Sequence, residues 1–159
     1  MKPEQLEQLI IAHHRALELF AAQWSDTPED CVQDAFLQLH RSPKTIQNPR
    51  AWLYRVVRNL AIDSGRSEAS RKRRERQVAA KPDWFEKRDS VLEAGQLQEA
   101  LSGLDSELRE VVVARIWGKL TLAEIAEALG IATSTAHRRY EQGIQALQKK
   151  FKFQKKEQS

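Results

Sequence analysis

Apolar side chains recur along this chain at intervals of three and four residues, which is the spacing of an amphipathic α-helix. The first helix is expected to bury one apolar face, formed by Leu6, Leu9, Ile10, His13, Leu17, Phe20 and Trp24. Further helices are predicted at 26–40, from Pro49 onwards, at 105–117, at 121–129 and at 133–152. No segment alternates between apolar and polar positions with the period of two that marks a β-strand. The pattern therefore predicts an all-α fold.

Residues that begin and end helices add detail to this prediction. Asp26 and Asn48 are expected to cap the second and third helices, and Gly65 is expected to weaken or end the third. Gly118 is expected to stop the helix at 105–117, and Gly130 to end the following helix in a left-handed conformation. The third helix should bury Trp52, Leu53, Val56, Val57 and Leu60, and the helix at 105–117 should bury Leu108, Val111, Val112 and Ile116.

A change of pattern in the middle of the chain predicts a domain boundary. The segment 77–89 loses helical periodicity and contains Pro82, which favours a linker. The chain is therefore divided into a first domain at 1–76, a linker at 77–90 and a second domain at 91–159. The predicted fold class is two small helical domains joined by a flexible linker.

The net charge of +4 conceals an alternation of basic and acidic blocks. Residues 50–76 and 137–156 each carry a net charge of +6, whereas residues 1–49 and 77–136 carry −3 and −4. Two separate cationic blocks indicate a polyanion that is contacted at two places, and nucleic acid is the obvious candidate. Charge alone is equally consistent with two solvated helix faces.

The segment 121–140 has the pattern of a helix-turn-helix. Ile125, Ala126 and Leu129 would form the inner face of a short helix, and Thr133 would cap the second helix, which enters the major groove in such motifs. Residues near the start of that helix are placed to read base edges or hold phosphates, namely Thr133, Ser134, Thr135, His137, Arg138, Arg139 and Glu141. Lys149 and Lys150, more than two turns further on, can meet only phosphates or solvent. A helical hairpin with no DNA role would leave these basic residues unexplained.

Composition excludes several other classes of protein. No apolar run approaches the roughly 18 residues that a membrane-spanning helix requires, and the N-terminus lacks the apolar stretch of a signal peptide. The one cysteine, Cys31, excludes an internal disulfide and a cysteine-based zinc site. No glycine loop for phosphate, HExxH motif or Cys-His pair is present. We therefore expect a cytoplasmic protein that is not an enzyme and holds neither a cofactor nor a metal.

Motifs in a fixed order along the chain resemble those of a known family. They are the segment from Glu29 to Leu37, the segment that opens with Asn48-Pro49, the segment from Leu104 to Val113, and the helix-turn-helix. Together they resemble the small extracytoplasmic-function (ECF) sigma factors of the sigma-70 family. The resemblance implies a protein that binds core RNA polymerase, directs it to a promoter and opens the DNA.

The resemblance also implies a role for particular residues. The polymerase-binding residues would be Asp30, Gln33, Asp34 and Leu37, which also share one polar side of the second helix. The residues that bind the minus-ten element would be Arg55, Arg58, Asn59 and Arg66. The helix-turn-helix residues named above, from Thr133 to Arg139, would bind the minus-thirty-five element.

Promoter opening requires a place for an extruded base, and the resemblance indicates where it would lie. The loop from Ser42 to Gln47, together with Asn59, resembles the family's flipped-base pocket. Trp52 and Tyr54 are candidates for base stacking, although the core is the favoured place for Trp52. The basic run 71–76 would touch duplex backbone.

A second interpretation is a stand-alone helix-turn-helix regulator. Such a protein usually needs a dimer to read two half-sites. It would also leave the first domain without a purpose. The sequence leaves open whether an anti-sigma factor controls the protein.

Overall fold

The described part of the chain is helical throughout its regular structure. The computed structural model describes residues 1–75 and 95–158, with side chains for 1–69 and 99–150. These residues form α1 (Pro3–Ala21), α2 (Pro28–Arg41), α3 (Pro49–Glu75), α4 (Gly95–Ser102), α5 (Ser106–Ile116), α6 (Leu122–Leu129) and α7 (Thr133–Gln158). The all-α prediction is thus confirmed. Contacts divide the chain into a first unit, Met1–Lys87, and a second unit, Arg88–Ser159. The predicted linker, 77–90, lies outside the described residues.

Three helices close the core of the first unit, because α1, α2 and α3 each pack against the other two. The core is formed by apolar side chains from all three, including Leu17, Phe20, Val32, Phe36, Leu39, Leu53 and Val57. Phe20 lies at its centre and contacts the rings of Trp24 and Tyr54 edge to face, at centroid distances of 5.2 and 5.0 Å. Such aromatic pairs each add about 0.5–1.5 kcal/mol to the burial of their area.

The first half of α1 departs from the predicted apolar face. Leu17 and Phe20 are fully buried, but Ile10 is exposed and Leu6 and Leu9 are only half-buried. The apolar period continues over the whole helix, whereas its buried residues all lie in the second half, from Leu17 to Ala21. Periodicity alone cannot show how far along a helix burial extends.

Asn48 caps α3 as predicted, but the helix continues beyond Gly65, where it was expected to weaken or end. The backbone amide of Ala51 donates to Asn48 Oδ1 at 3.2 Å, so Asn48 caps the helix. Gly65 does not end α3, because the helix continues to Glu75. A Cβ atom at position 65 would overlap the backbone carbonyl oxygen of Trp24. Gly65 is therefore a point of close helix-to-turn approach rather than a helix end.

Gly65→Ala is expected to destabilise the first unit by about 1–3 kcal/mol, because the added methyl would push the backbone of α3 away from the backbone at Trp24. Helix propensity alone predicts that Gly65→Ala stabilises the first unit, since alanine is favoured over glycine in a helix by about 1 kcal/mol. Thermal unfolding followed by circular dichroism measures the difference. Ser67→Ala, at an exposed position of the same helix, is the control. A Gly65→Ala protein that melts higher than the wild type would contradict the close approach.

The start of α2 is another difference from the prediction. Thr27 occupies the N-cap position, so the expectation that Asp26 caps α2 is wrong. The backbone amide of Asp26 instead donates to the carboxylate of Glu68 on α3, at 3.0 and 3.3 Å to its two oxygens. A contact between residues so far apart in sequence has no local signal that could predict it.

The second unit is built on α7, which packs against α4, α5 and α6. Its core includes Leu101, Val111, Val112, Leu120, Ile125, Ala136 and Leu147. Ile116, expected to face inward, is 41% exposed because it lies in the last turn of α5, where the chain turns away. The residue with a positive φ after α5 is Lys119, at 57°, rather than Gly118.

Candidate functional site

One side of α2 presents the four residues predicted to contact a protein partner. Asp30, Gln33, Asp34 and Leu37 are all exposed, one helical turn apart, and opposite the buried Val32, Ala35 and Phe36. Leu37 is 44% exposed and is the apolar member of this set. We refer to these four residues as the acidic face of α2.

The electrostatics of this face favour a protein over DNA. Asp30 and Asp34 place two carboxylates one turn apart, and Gln38 Nε2 donates to Asp34 Oδ1 at 3.5 Å. Carboxylates repel phosphates, whereas an exposed leucine among polar groups is typical of a protein contact. The acidic face of α2 is therefore suited to a basic protein surface.

The outward side of α3 carries a second predicted set, Arg55, Arg58, Asn59 and Arg66, which we call the basic stripe of α3. Arg55, Asn59 and Arg66 are exposed. Arg58 is half-buried, and its guanidinium lies 5.8 Å from the centre of the Trp24 ring. Guanidinium groups bind phosphates and an amide can hydrogen-bond a base edge, so the stripe can hold a DNA strand.

The structure and the prediction differ in which of the two aromatic candidates for base stacking is buried. Tyr54 is 1% exposed and packs on Phe20, so it belongs to the core and cannot meet a base. Trp52, for which the core was favoured, is only half-buried. The buried side of α3 is centred on Leu53, Tyr54 and Val57, which is rotated by about one residue from the predicted stripe. Of the two candidates, Trp52 is the one that remains accessible.

A cleft of about 600 Å³ lies beside the loop that was predicted to form a base pocket. The loop residues Lys44 to Gln47 line one side, and Gln5, Gln8 and Leu9 of α1 line the other. Asn59 does not line this cleft, because it lies nearly three turns along α3 from Pro49. The basic run 71–76 lies outside the residues whose side chains are described.

The helix-turn-helix of the second unit is held by local bonds. Thr121 and Glu124 form a capping box: the Glu124 amide donates to Thr121 Oγ1 at 3.1 Å, and the Thr121 amide to Glu124 Oε1 at 3.0 Å. Gly130 takes the predicted left-handed conformation, with φ of 69°. The Ile131 amide then donates to the Ala126 carbonyl at 3.0 Å, which fixes the turn.

The recognition helix α7 exposes most of its predicted residues. Thr133, Ser134, His137 and Arg138 are exposed, whereas Thr135 and Arg139 are half-buried. The expectation that Thr133 caps α7 is wrong, because the helix already includes Thr133 and the Ala136 amide donates to the Ala132 carbonyl. His137 Nε2 lies 3.7 Å from Glu141 Oε1 one turn later.

Two basic residues of α7 have partners on other helices of the second unit. Arg139 has a side chain only 21% exposed, and its guanidinium lies 3.7 Å from Glu107 of α5. Lys150 Nζ donates to the Ala100 carbonyl of α4 at 3.3 Å. The interpretation of Lys150 as a residue for phosphate or solvent is therefore corrected: it joins α7 to α4. Arg138 and Lys149 remain exposed.

The described residues also bear on catalytic chemistry. Among them no group of three or more histidine, cysteine or acidic side chains could hold a metal ion. Cys31 is buried, and that burial raises the pKa of its thiol. A thiol with a raised pKa is largely protonated at neutral pH and is a poor nucleophile.

The fold and these surfaces define a class of protein. An acidic face and a basic stripe share the first unit, and a helix-turn-helix forms the second, as in a transcription factor that contacts both a protein and DNA. A sigma-70 region 2 model matches residues 9–71, and a sigma-70 region 4 model matches residues 100–149. The chain belongs to the sigma-70 family, in its ECF subfamily.

The chain is similar to curated sigma factors over most of its length. The chain is 31% identical over 139 residues to the ferric citrate uptake sigma factor FecI of Escherichia coli, covering 81% of this chain and 80% of FecI. It is 32% identical over 142 residues to the ECF sigma factor SigM of Mycobacterium tuberculosis, covering 84% of this chain and 70% of SigM.

Two solved structures share the fold. The sigma factor RpoE of Bartonella quintana, solved with the anti-sigma factor NepR, gives a TM-score of 0.70 at 23% identity and covers 94% of this chain and 98% of its own. CnrH, solved with the cytosolic domain of CnrY, gives a TM-score of 0.62 at 24% identity and covers 92% of this chain and 87% of its own. None of the helices in the described ranges is long and apolar enough to cross a membrane.

Proposed function

We propose that this ECF sigma factor binds core RNA polymerase through the acidic face of α2 and opens promoter DNA along the basic stripe of α3. The observation that carries the proposal is that three packed helices present both surfaces on one unit. Polymerase held on α2 would therefore bring promoter DNA to α3. In this assignment residues 1–76 read and melt the minus-ten element, and 91–159 read the minus-thirty-five element.

The helix-turn-helix supplies recognition of duplex DNA in this proposal. Ser134, His137 and Arg138 are exposed near the start of α7, where such motifs reach base edges. Arg138 is suited to a guanine, because its guanidinium can bond both major-groove acceptors. Arg139, whose guanidinium lies 3.7 Å from Glu107 of α5, stays a proposed phosphate ligand. Thr133 and Thr135 lie on either side of Ser134 and fit sugar and phosphate contacts.

Association with core polymerase followed by transcription tests the function. The purified chain should copurify with core RNA polymerase, and the mixture should give run-off transcripts from a subset of genomic fragments. Core polymerase without the chain is the control. A chain that binds specific duplex DNA tightly in the absence of polymerase would instead support a stand-alone regulator. Membership of the sigma-70 family favours copurification with polymerase and polymerase-dependent transcription.

An inhibitory protein partner is a further proposal. The RpoE structure contains an anti-sigma factor, NepR. A partner of that kind would gain most by covering the acidic face of α2, because that would compete directly with polymerase. The protein would act in the cytoplasm, where polymerase and promoter DNA are, as a regulator without catalytic chemistry or a cofactor of its own.

Base reading and phosphate holding on α7 can be separated by two substitutions. Arg138→Ala is expected to cost about 1–3 kcal/mol on the preferred minus-thirty-five sequence and to flatten preference at one base position. Lys149→Ala should weaken binding to all sequences alike and reduce the salt slope by about one unit. Holoenzyme binding to a set of minus-thirty-five variants at two or more salt concentrations measures both. An equal loss on every sequence for Arg138→Ala would make Arg138 a phosphate ligand.

A further inference from the structure

Glu68 is an acidic residue in the most basic part of the chain. Residues 50–76 contain nine lysines and arginines and three acidic residues, of which Glu68 is one. A carboxylate directed at DNA from this helix would repel phosphates. The Glu68 carboxylate is instead bound to the turn that precedes α2.

The contacts of Glu68 join α3 to the start of α2. Its Oε2 and Oε1 accept from the Asp26 backbone amide at 3.0 and 3.3 Å, and its Oε1 accepts from Ser64 Oγ at 3.2 Å. Asp26 directly precedes Thr27, the N-cap of α2. The N-terminus of a helix carries partial positive charge, so a carboxylate is stabilised there.

A buried hydroxyl extends this contact into the core. Ser25 is 5% exposed, lies 3.0 Å from Ser64 Oγ, and accepts from the Thr27 backbone amide at 3.0 Å. We call Ser25, Asp26, Ser64 and Glu68 the α2–α3 clasp. The close approach of Gly65 to the Trp24 carbonyl lies within the same few residues.

The clasp also lies next to the basic stripe of α3. Trp24 immediately precedes Ser25, and its ring packs against the guanidinium of Arg58. One short turn therefore contacts the start of the polymerase-binding helix and a member of the basic stripe. A shift of this turn would move the acidic face of α2 relative to the basic stripe of α3.

We infer that Glu68 is a positioning residue that fixes the acidic face of α2 relative to the basic stripe of α3, so that polymerase bound to α2 presents α3 to the promoter. This inference rests on the proposed function. Glu68 itself contacts neither partner in it. Loss of the clasp should therefore leave affinity for polymerase intact and slow promoter opening.

The experiment compares three variants of the full chain assembled with saturating core polymerase. Glu68→Ala is expected to slow open-complex formation about tenfold, the size of one lost hydrogen bond to a charged acceptor, with core affinity unchanged. Glu68→Gln should recover part of the rate, because its amide oxygen can still accept from the Asp26 backbone. Asp63→Ala removes an exposed carboxylate from the same helix and should open the promoter at the wild-type rate.

Each result decides the inference. Melting temperatures by circular dichroism must lie above the assay temperature; if Glu68→Ala fails this, Glu68→Gln and Ser64→Ala replace it, and each should show a smaller slowing of the same kind. Normal opening in all clasp variants, equal slowing in Asp63→Ala, or reduced core affinity would overturn the inference. A wild-type holoenzyme that opens no promoter would instead overturn the proposed function.

Discussion

Asp34→Arg combined with Gln33→Ala is expected to abolish binding to core RNA polymerase while leaving the helical fold intact. Both side chains are exposed on the acidic face of α2, so the substitutions disturb no packing. A positive charge placed against a basic partner surface can cost several kcal/mol, and about 4 kcal/mol corresponds to nearly a thousandfold loss of affinity. Fluorescence anisotropy of the labelled chain titrated with core polymerase measures the loss.

A charge reversal elsewhere on the same unit provides the control. Glu7 is exposed on α1 and is not one of the four residues of the acidic face of α2. Glu7→Arg makes the same change in net charge as Asp34→Arg and should retain full core affinity. Unchanged affinity in the α2 double variant, at matched circular dichroism, would place the polymerase contact on another surface.

Asn59→Ala and Arg55→Ala are each expected to impair promoter opening more than closed-complex formation. Extruding a base from the duplex costs a few kcal/mol, which contacts to the displaced strand must offset. Loss of one such hydrogen bond or phosphate contact should reduce open complexes about tenfold. Permanganate reactivity of unpaired thymines reports opening, and mobility of the complex in heparin-free gels reports closed complexes.

The choice of variants on α3 follows from the structure. Arg58 also packs against Trp24, so Arg58→Ala removes a packing contact as well as a charge and should be interpreted separately. Arg15 is an exposed arginine on α1, and Arg15→Ala is the matched loss of one positive charge. If Arg15→Ala impairs opening as much as Arg55→Ala does, the effect belongs to net charge and the basic stripe has no specific role.

Much of the helical architecture could be predicted from local patterns. Asn48 before Pro49 has the composition of a helix start, and Asn48 does cap α3. Gly130 follows an apolar helix and takes the left-handed conformation that such a position favours. These features depend on residues within one helical turn of each other, so the sequence contains all the information that they require.

Two errors in the sequence predictions, at Gly65 and Lys150, have a different origin from the one-residue shifts in the predicted caps of α2 and α7. Gly65 was expected to weaken or end α3, yet a backbone from another part of the chain packs against it. Lys150 was expected to face phosphate or solvent, yet it bonds the Ala100 carbonyl fifty residues earlier. In both cases the deciding partner is distant in sequence. Composition and periodicity carry no information about such partners.

The sequence by itself determined the helices, the helix-turn-helix, the alternation of charge and the side of α2 that stays exposed. Each follows from short-range spacing, because a helix repeats every 3.6 residues and capping acts within one turn. Only the tertiary structure decided that Tyr54 is buried while Trp52 is accessible, that Arg139 is held by Glu107, and that Glu68 is bound to the start of α2. The physical reason is that packing rotates and pairs whole helices, and these rotations depend on contacts between residues far apart in the chain.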